Sequence, residues 1–319
     1  LENKGAFRCD NDEINALWDI CAYTMLLNSR EAFFDGIKRD RWVWSGDAYQ
    51  SYFVNYYLTR DKDTVRRTIR MLRGKDPITQ HINTITDYTF YWICSIWDYY
   101  FFTGDNDFVK EIYPDMLSFL EFVEKRLSDD GMFTTRRGDW VFIDWATFDS
   151  NGPMCAEQML LCRAYESLGK CANVIGDRSM ATKCKKRVDY MIEQINLVYW
   201  NEDKGAFIDD YASGKNNVTR HANIFALFFD YTTEIRKEKI KKAFENPEEK
   251  RKLKDQSFTW LETLFTKGGT HPEQNLSRLA LHSTKIYDPD DSFKEGKEEG
   301  TGSLFIYTPH GMWYIINNS

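Results

Sequence analysis

The chain has 319 residues, a formal net charge of −7, 42% hydrophobic and 29% charged residues. This composition excludes a disordered segment and is large enough for a substantial core. The lack of a long basic run argues against a nucleic-acid partner. No stretch of ~18 apolar residues is present, so no helical membrane span is expected, and no secretory leader is recognised.

Helical periodicity dominates from the start. Residues 10–34 carry Ile14, Leu17, Ile20, Cys21, Met25 and Leu27 near helical spacing, behind an Asp10/Asn11 N-cap. A second helix is expected from 47, ending before the polar Thr59-Arg60-Asp61, and a third over 62–75, closed by Gly74. Residues 86–108 are apolar nearly all round and predict a buried helix; 105–131 predict a fifth. Two more follow at 153–177 and 178–200, joined by Gly176-Asp177. Further helices are expected at 220–231, 234–255, 256–265 and 273–284. Strand signals are weak, with short hairpins or loops at 131–145 and 204–212 and a polar Gly-rich loop at 288–303. About ten helices with short connections pack as antiparallel pairs, which leaves an α-solenoid or a closed (α/α)6 toroid. The lack of a fixed-period repeat favours the toroid. One (α/α)6 domain over 1–319 is therefore expected, and the Leu1 start points to a fragment of a longer chain.

The seven cysteines form no Cys-x-x-Cys pair and are odd in number. Free buried thiols in a reducing compartment such as the cytoplasm explain them better than disulfides. Aromatics make up 16% of the residues, and several Trp lie beside acids, in "DRWVWSGD" and "RGDWVFIDW". Most belong to the core, but that neighbourhood also suits sugar rings, whose apolar faces stack on indoles while polar neighbours bind hydroxyls.

Residues 35–47 are the densest chemistry: Asp35, Lys38, Arg39, Asp40, Arg41, Trp42, Trp44 and Asp47. Crowded carboxylates raise one another's pKa while an Arg holds another ionised. Glycoside hydrolysis asks for that arrangement, one protonated acid and one carboxylate. A salt-bridged loop capping the next helix is the structural alternative.

The segment resembles the signature of the bacterial α-L-rhamnosidases, Asp-x-x-x-Arg-Glu-Arg-Leu-Gly-Trp-Thr-Gly-Asp. Asp35, Arg39, Arg41, Trp44, Gly46 and Asp47 match it, and Asp40 stands where the family has its proton-donating Glu. The resemblance implies an inverting glycosidase on an (α/α)6 barrel, with short β hairpins in loops, acting on an oligosaccharide or glycoside. It implies Asp40 as acid and Asp35, Arg39, Trp44 and Asp47 as sugar contacts. "RGDWVFIDW" resembles the family's Gly-Asp-Trp segment and adds Asp139, Trp140 and Trp145; "TRHANIF" adds His221. "SFTWLE" resembles the late segment of the catalytic base, which makes Glu262 the candidate, one residue later than in the family. "TPHGMWYI" adds His310. Phosphate-binding Gly loops, zinc-ligand spacings and serine-hydrolase elbows are missing, so neither an organic cofactor nor a metal is implied.

Overall fold

The computed structural model describes residues 3–37, 40–136, 138–144 and 152–245, and the backbone of two strands at 302–307 and 313–318. The first helices are α1 (Asp12–Asn28), α2 (Ser45–Leu58), α3 (Lys62–Arg73), α4 (Thr86–Thr103) and α5 (Asn106–Glu124). They are followed by α6 (Cys155–Ile175), α7 (Arg178–Val198), α8 (Arg220–Phe228) and α9 (Glu234–Glu245). A 3₁₀ turn, Ile82–Thr84, precedes α4. The helix at 234–255 is described only to Glu245, and those expected at 256–265 and 273–284 lie outside the described residues.

Two compact units are distinguished: 1–143 with 149–237, and 144–148 with 238–319. In the first, the even-numbered helices are its centre. Helix α4 packs between α2 and α6, and α6 packs on α7 and α8. Their side chains explain this. Helix α4 buries Phe90, Trp92, Ile93, Cys94, Ile96 and Tyr99, and the Trp92 indole donates to Ile69 O of α3 at 2.9 Å. Removing such a ring would cost about 3–5 kcal/mol.

The two classes of helix differ in how they begin. Helices α3, α5 and α7 start at Asp61, Asp105 and Asp177, each accepting first-turn amides through its own carboxylate. Helices α2, α4, α6 and α8 have no side-chain cap. First-turn amides of three of them are satisfied from elsewhere. Ser45 N donates to Asn83 Oδ1 at 2.9 Å, Thr86 N to Trp140 O at 2.9 Å, and Cys155 N to Asp209 O at 2.8 Å. Each acceptor lies in the loop before the next even-numbered helix, so these loops gather at one rim.

Strands are few. Strands β1 (Trp200–Asn201) and β2 (Ala206–Phe207) form a short antiparallel pair, within the hairpin expected near 204–212. Residues 131–145 do not form a hairpin among the described residues. Trp140 and Phe142 direct their amides to Thr84 O and the Asp87 carboxyl instead of to each other's strand. In the second unit, β3 (Gly302–Tyr307) and β4 (Trp313–Asn318) pair antiparallel from Gly302↔Asn318 to Tyr307↔Trp313. The loop expected over 288–303 thus gives way to strand at Gly302, where the apolar run "LFIY" begins. The seven cysteines are free; Cys9 and Cys21 are exposed and the other five are buried.

Candidate active site

The segment before α2 closes on itself. Asp35 N donates to Trp42 O at 3.0 Å, and Trp42 N donates to Asp35 Oδ1 at 2.9 Å. Within this loop Asp40 is exposed, and Arg41 takes a positive φ of 53°. A non-glycine residue in that region stores backbone strain and marks a loop whose shape is held by its surroundings. Trp42 stands 58% exposed at its end.

Asp47 lies in the first turn of α2, against Tyr88 of α4. A Cβ at Gly46 would lie 2.6 Å from Tyr88 Cε1, so only glycine lets the ring come this close. The Tyr88 hydroxyl donates to Asp47 Oδ2 at 3.3 Å, and Ser45 Oγ donates to Tyr88 O at 2.8 Å. Burial pushes the Asp47 carboxyl up to about 7; Asp35 and Asp40 add repulsion, and the Tyr88 hydroxyl pulls it down. Burial also raises Asp35, against the Trp42 amide, with Asp40 adding to the rise. The structure therefore brings Asp35, Asp40 and Asp47 within electrostatic reach of one another.

An aromatic wall continues from this cluster. Trp44 meets Tyr88 edge-on at 6.3 Å; Tyr88 meets Phe142 at 5.9 Å, and Phe142 meets Trp140 at 5.5 Å. Trp44 Nε1 is buried without a hydrogen-bond partner among the described residues. Trp140 is 44% exposed. Its backbone is pinned, since its amide donates to Thr84 O and its carbonyl accepts from Thr86 N. An indole held this way at a rim is a stacking surface for an apolar ring face.

Asp139 pairs with Arg126 at 3.5 Å and accepts Arg136 N at 2.9 Å, with its side chain 9% exposed. His221 is half-buried in the first turn of α8, its Nδ1 3.3 Å from Thr219 Oγ1. Arg39, Trp145, Glu262 and His310 lie outside the described residues.

The sequence reading missed several residues that shape the site. Tyr88 and Asp87 sit inside a segment read as buried throughout. Asp87 Oδ1 accepts Phe142 N at 3.1 Å, and Glu157 of α6 accepts the Thr86 hydroxyl. His81 is buried among Phe90, Phe122 and Phe133, and burial pushes its pKa down to about 4. An Asp in the first turn of an apolar helix was the one available signal for Asp87. Among the described residues no group of three His, Cys, Asp or Glu is arranged to hold a metal, and no helix is long and apolar enough to cross a membrane.

Helix pairs, whose central members start at a rim lined by carboxylates and indoles, define an α/α-hairpin domain of the glycosidase type. Residues 2–256 match the bacterial alpha-L-rhamnosidase 6 hairpin glycosidase domain, and the chain belongs to that family. Among solved structures it is similar to the family 78 rhamnosidase of Bacillus sp. GL1, with 24% identity, a TM-score of 0.70, and coverage of 89% of this chain and 31% of that one. It is also similar to the Klebsiella oxytoca rhamnosidase with rhamnose bound, with 18% identity, a TM-score of 0.64, and coverage of 90% and 57%. A third similar structure is the α-L-rhamnosidase of Aspergillus terreus, with 16% identity, a TM-score of 0.64, and coverage of 79% and 31%. At these identities the likeness is one of fold, and the chain spans from a third to just over half of those proteins. No curated protein matches the chain in sequence.

Proposed function

We propose that residues 1–319 form the catalytic (α/α)6 domain of a glycoside hydrolase that removes terminal α-L-rhamnose from an oligosaccharide or glycoside, with inversion. The observation that carries this reading is the cluster of Asp35, Asp40 and Asp47 at the start of α2, beside the exposed Trp140. Family membership and the rhamnose held by the Klebsiella relative support the sugar.

In this reading Asp40, exposed in its loop, delivers a proton to the leaving oxygen. Glu262 is the base in this reading, because inversion needs a second carboxylate to activate the attacking water. Asp47 stays protonated to about 7 and offers its hydrogen to a sugar hydroxyl, while Asp35 accepts one. Trp140 stacks on the ring, Trp44 and His221 are further candidate contacts, and Arg39, Trp145 and His310 join them on the family resemblance alone. The Asp139 carboxylate holds Arg126, so its part is to fix the turn that carries Trp140.

Asp40 favours a second reading, because its side chain is one methylene shorter than the family's Glu. A shorter acid suits a different deoxy sugar or a uronic acid. The test is p-nitrophenol release from p-nitrophenyl α-L-rhamnoside by wild type, Asp40→Asn and Asp47→Asn, with a panel of other aryl glycosides. Wild-type turnover that falls by ~10² or more in Asp40→Asn supports the first reading. Activity confined to another glycoside supports the second. A folded chain that binds sugars and turns over none of them refutes both.

A further inference from the structure

Two carboxyl groups in the first unit have no role in the reaction proposed above. Asp87 opens α4 and Glu157 opens α6, with 0% and 1% exposure. Asp87 Oδ1 accepts the Phe142 amide at 3.1 Å, and the Ile143 amide also supports this carboxyl. Glu157 Oε1 accepts the Thr86 hydroxyl. The second oxygens, Asp87 Oδ2 and Glu157 Oε2, are buried without a hydrogen-bond partner among the described residues. The other charged group bearing on the pair is Asp139, which acts on Glu157 and is itself held by Arg126; His81, farther along that chain, is neutral. No cation thus stands between the two acids among the described residues, and two such groups in a dry interior do not both ionise.

We propose that Asp87, with Glu157 held neutral at the start of the next central helix, is a positioning residue for the wall that contacts the sugar. Asp87 accepts the Phe142 amide and so fixes Phe142 between Trp140 and Tyr88, the tyrosine whose hydroxyl reaches Asp47. This rests on the reading of Trp140 and Asp47 as sugar contacts. The proton lies on Glu157, because two backbone amides stabilise an ionised Asp87 whereas Glu157 receives a single hydroxyl. Burial raises both groups, Asp87 to about 7, and the Asp87 charge adds to the rise of Glu157. Above that value Asp87 holds Phe142 through a charge-assisted bond; below it the bond is to a neutral acid and weaker.

The experiment measures hydrogen exchange of the Phe142 amide across pH, together with the infrared band of protonated carboxyls, on the substrate-free chain. The variants are Asp87→Ala, Asp87→Asn and Glu157→Gln. Asp87→Ala should speed Phe142 exchange tenfold or more, and Asp87→Asn should restore most of the protection. Glu157→Gln, which mimics the protonated acid, should keep the protection and lose a carboxyl band that wild type retains above pH 7. In catalysis, Asp87→Ala should raise KM for the aryl rhamnoside more than it lowers kcat. Unchanged Phe142 exchange in Asp87→Ala, or a carboxyl spectrum above pH 7 that Glu157→Gln leaves unchanged, overturns the proposal. If Asp87→Ala does not fold, a step in Phe142 exchange near pH 7 in wild type and its absence in Asp87→Asn decide the matter alone. Since exchange and infrared need no substrate, failure to cleave rhamnosides refutes the function while leaving the positioning role of Asp87 standing.

Discussion

Gly46→Ala should damage the site through one methyl group. The added Cβ would sit 2.6 Å from Tyr88 Cε1 and 2.9 Å from its Cζ. Ordinary carbon contact begins near ~3.5 Å, so ring and helix must part by about 0.9 Å. The ring cannot turn aside freely, because Trp44, Tyr91 and Phe142 surround it and Ser45 bonds the Tyr88 carbonyl. Overpacking of this kind costs about 1–3 kcal/mol, against a helix-propensity gain of at most ~1 kcal/mol for Ala over Gly. The net expectation is a loss of about 1–2 kcal/mol in urea unfolding. A second effect is electrostatic. At 3.3 Å the Tyr88–Asp47 bond is already long, and parting the groups removes one of the two hydrogen bonds that lower the Asp47 pKa. The limb of the pH–rate profile assigned to Asp47 should therefore move to higher pH. Gly36→Ala is the control, because a Cβ there meets nothing within 4 Å. If Gly46→Ala unfolds with the wild-type midpoint and its pH profile superimposes on wild type, the close approach of Tyr88 is not what makes position 46 glycine.

Asp47 also links stability to pH. Its folded pKa of about 7 exceeds its ordinary 3.8, so the folded state is favoured at low pH, and that advantage is lost as pH rises from about 4 to about 7. The full shift corresponds to at most ~4 kcal/mol, reduced by partial solvent contact. The fall in urea midpoint between pH 5 and pH 8 should be smaller in Asp47→Asn than in wild type. Trp140→Ala should leave the midpoint within ~1 kcal/mol, since the indole is 44% exposed, while weakening sugar binding by titration at least tenfold. Asp61→Ala should cost about 1 kcal/mol through the amides of Asp63 and Thr64, with catalysis unchanged.

Helix starts show why part of this fold is legible in the sequence and part is not. The odd-numbered α3, α5 and α7 carry their own signals, since each begins at an Asp that caps it. Helices α2, α4 and α6 take their caps from Asn83, Trp140 and Asp209, and 38 positions separate Asn83 from Ser45. No local pattern reports such a start, so the stretch at 131–145 reads only as a short hairpin or loop. The site divides along the same line. Asp35, Asp40 and Asp47 stand within thirteen positions, so their crowding shows in the chain itself. Glu157 meets Thr86 across 71 positions, and each of these residues alone looks like an ordinary member of a buried helix.

The borrowed caps also tie chemistry to folding. The loop that carries the exposed Trp140 is the same loop that closes α4, because the Trp140 carbonyl accepts Thr86 N. Asn83 likewise joins the turn before α4 to the start of α2, accepting from Ser45 N and donating to Val43 O at 3.1 Å. A rim built this way cannot let one loop drift without exposing a neighbouring helix's amides, each worth about 1–3 kcal/mol when buried and unmade. Sugar-contacting loops usually belong to the mobile part of a protein. Here the rim backbones carry the helix caps, which leaves adjustment to the side chains.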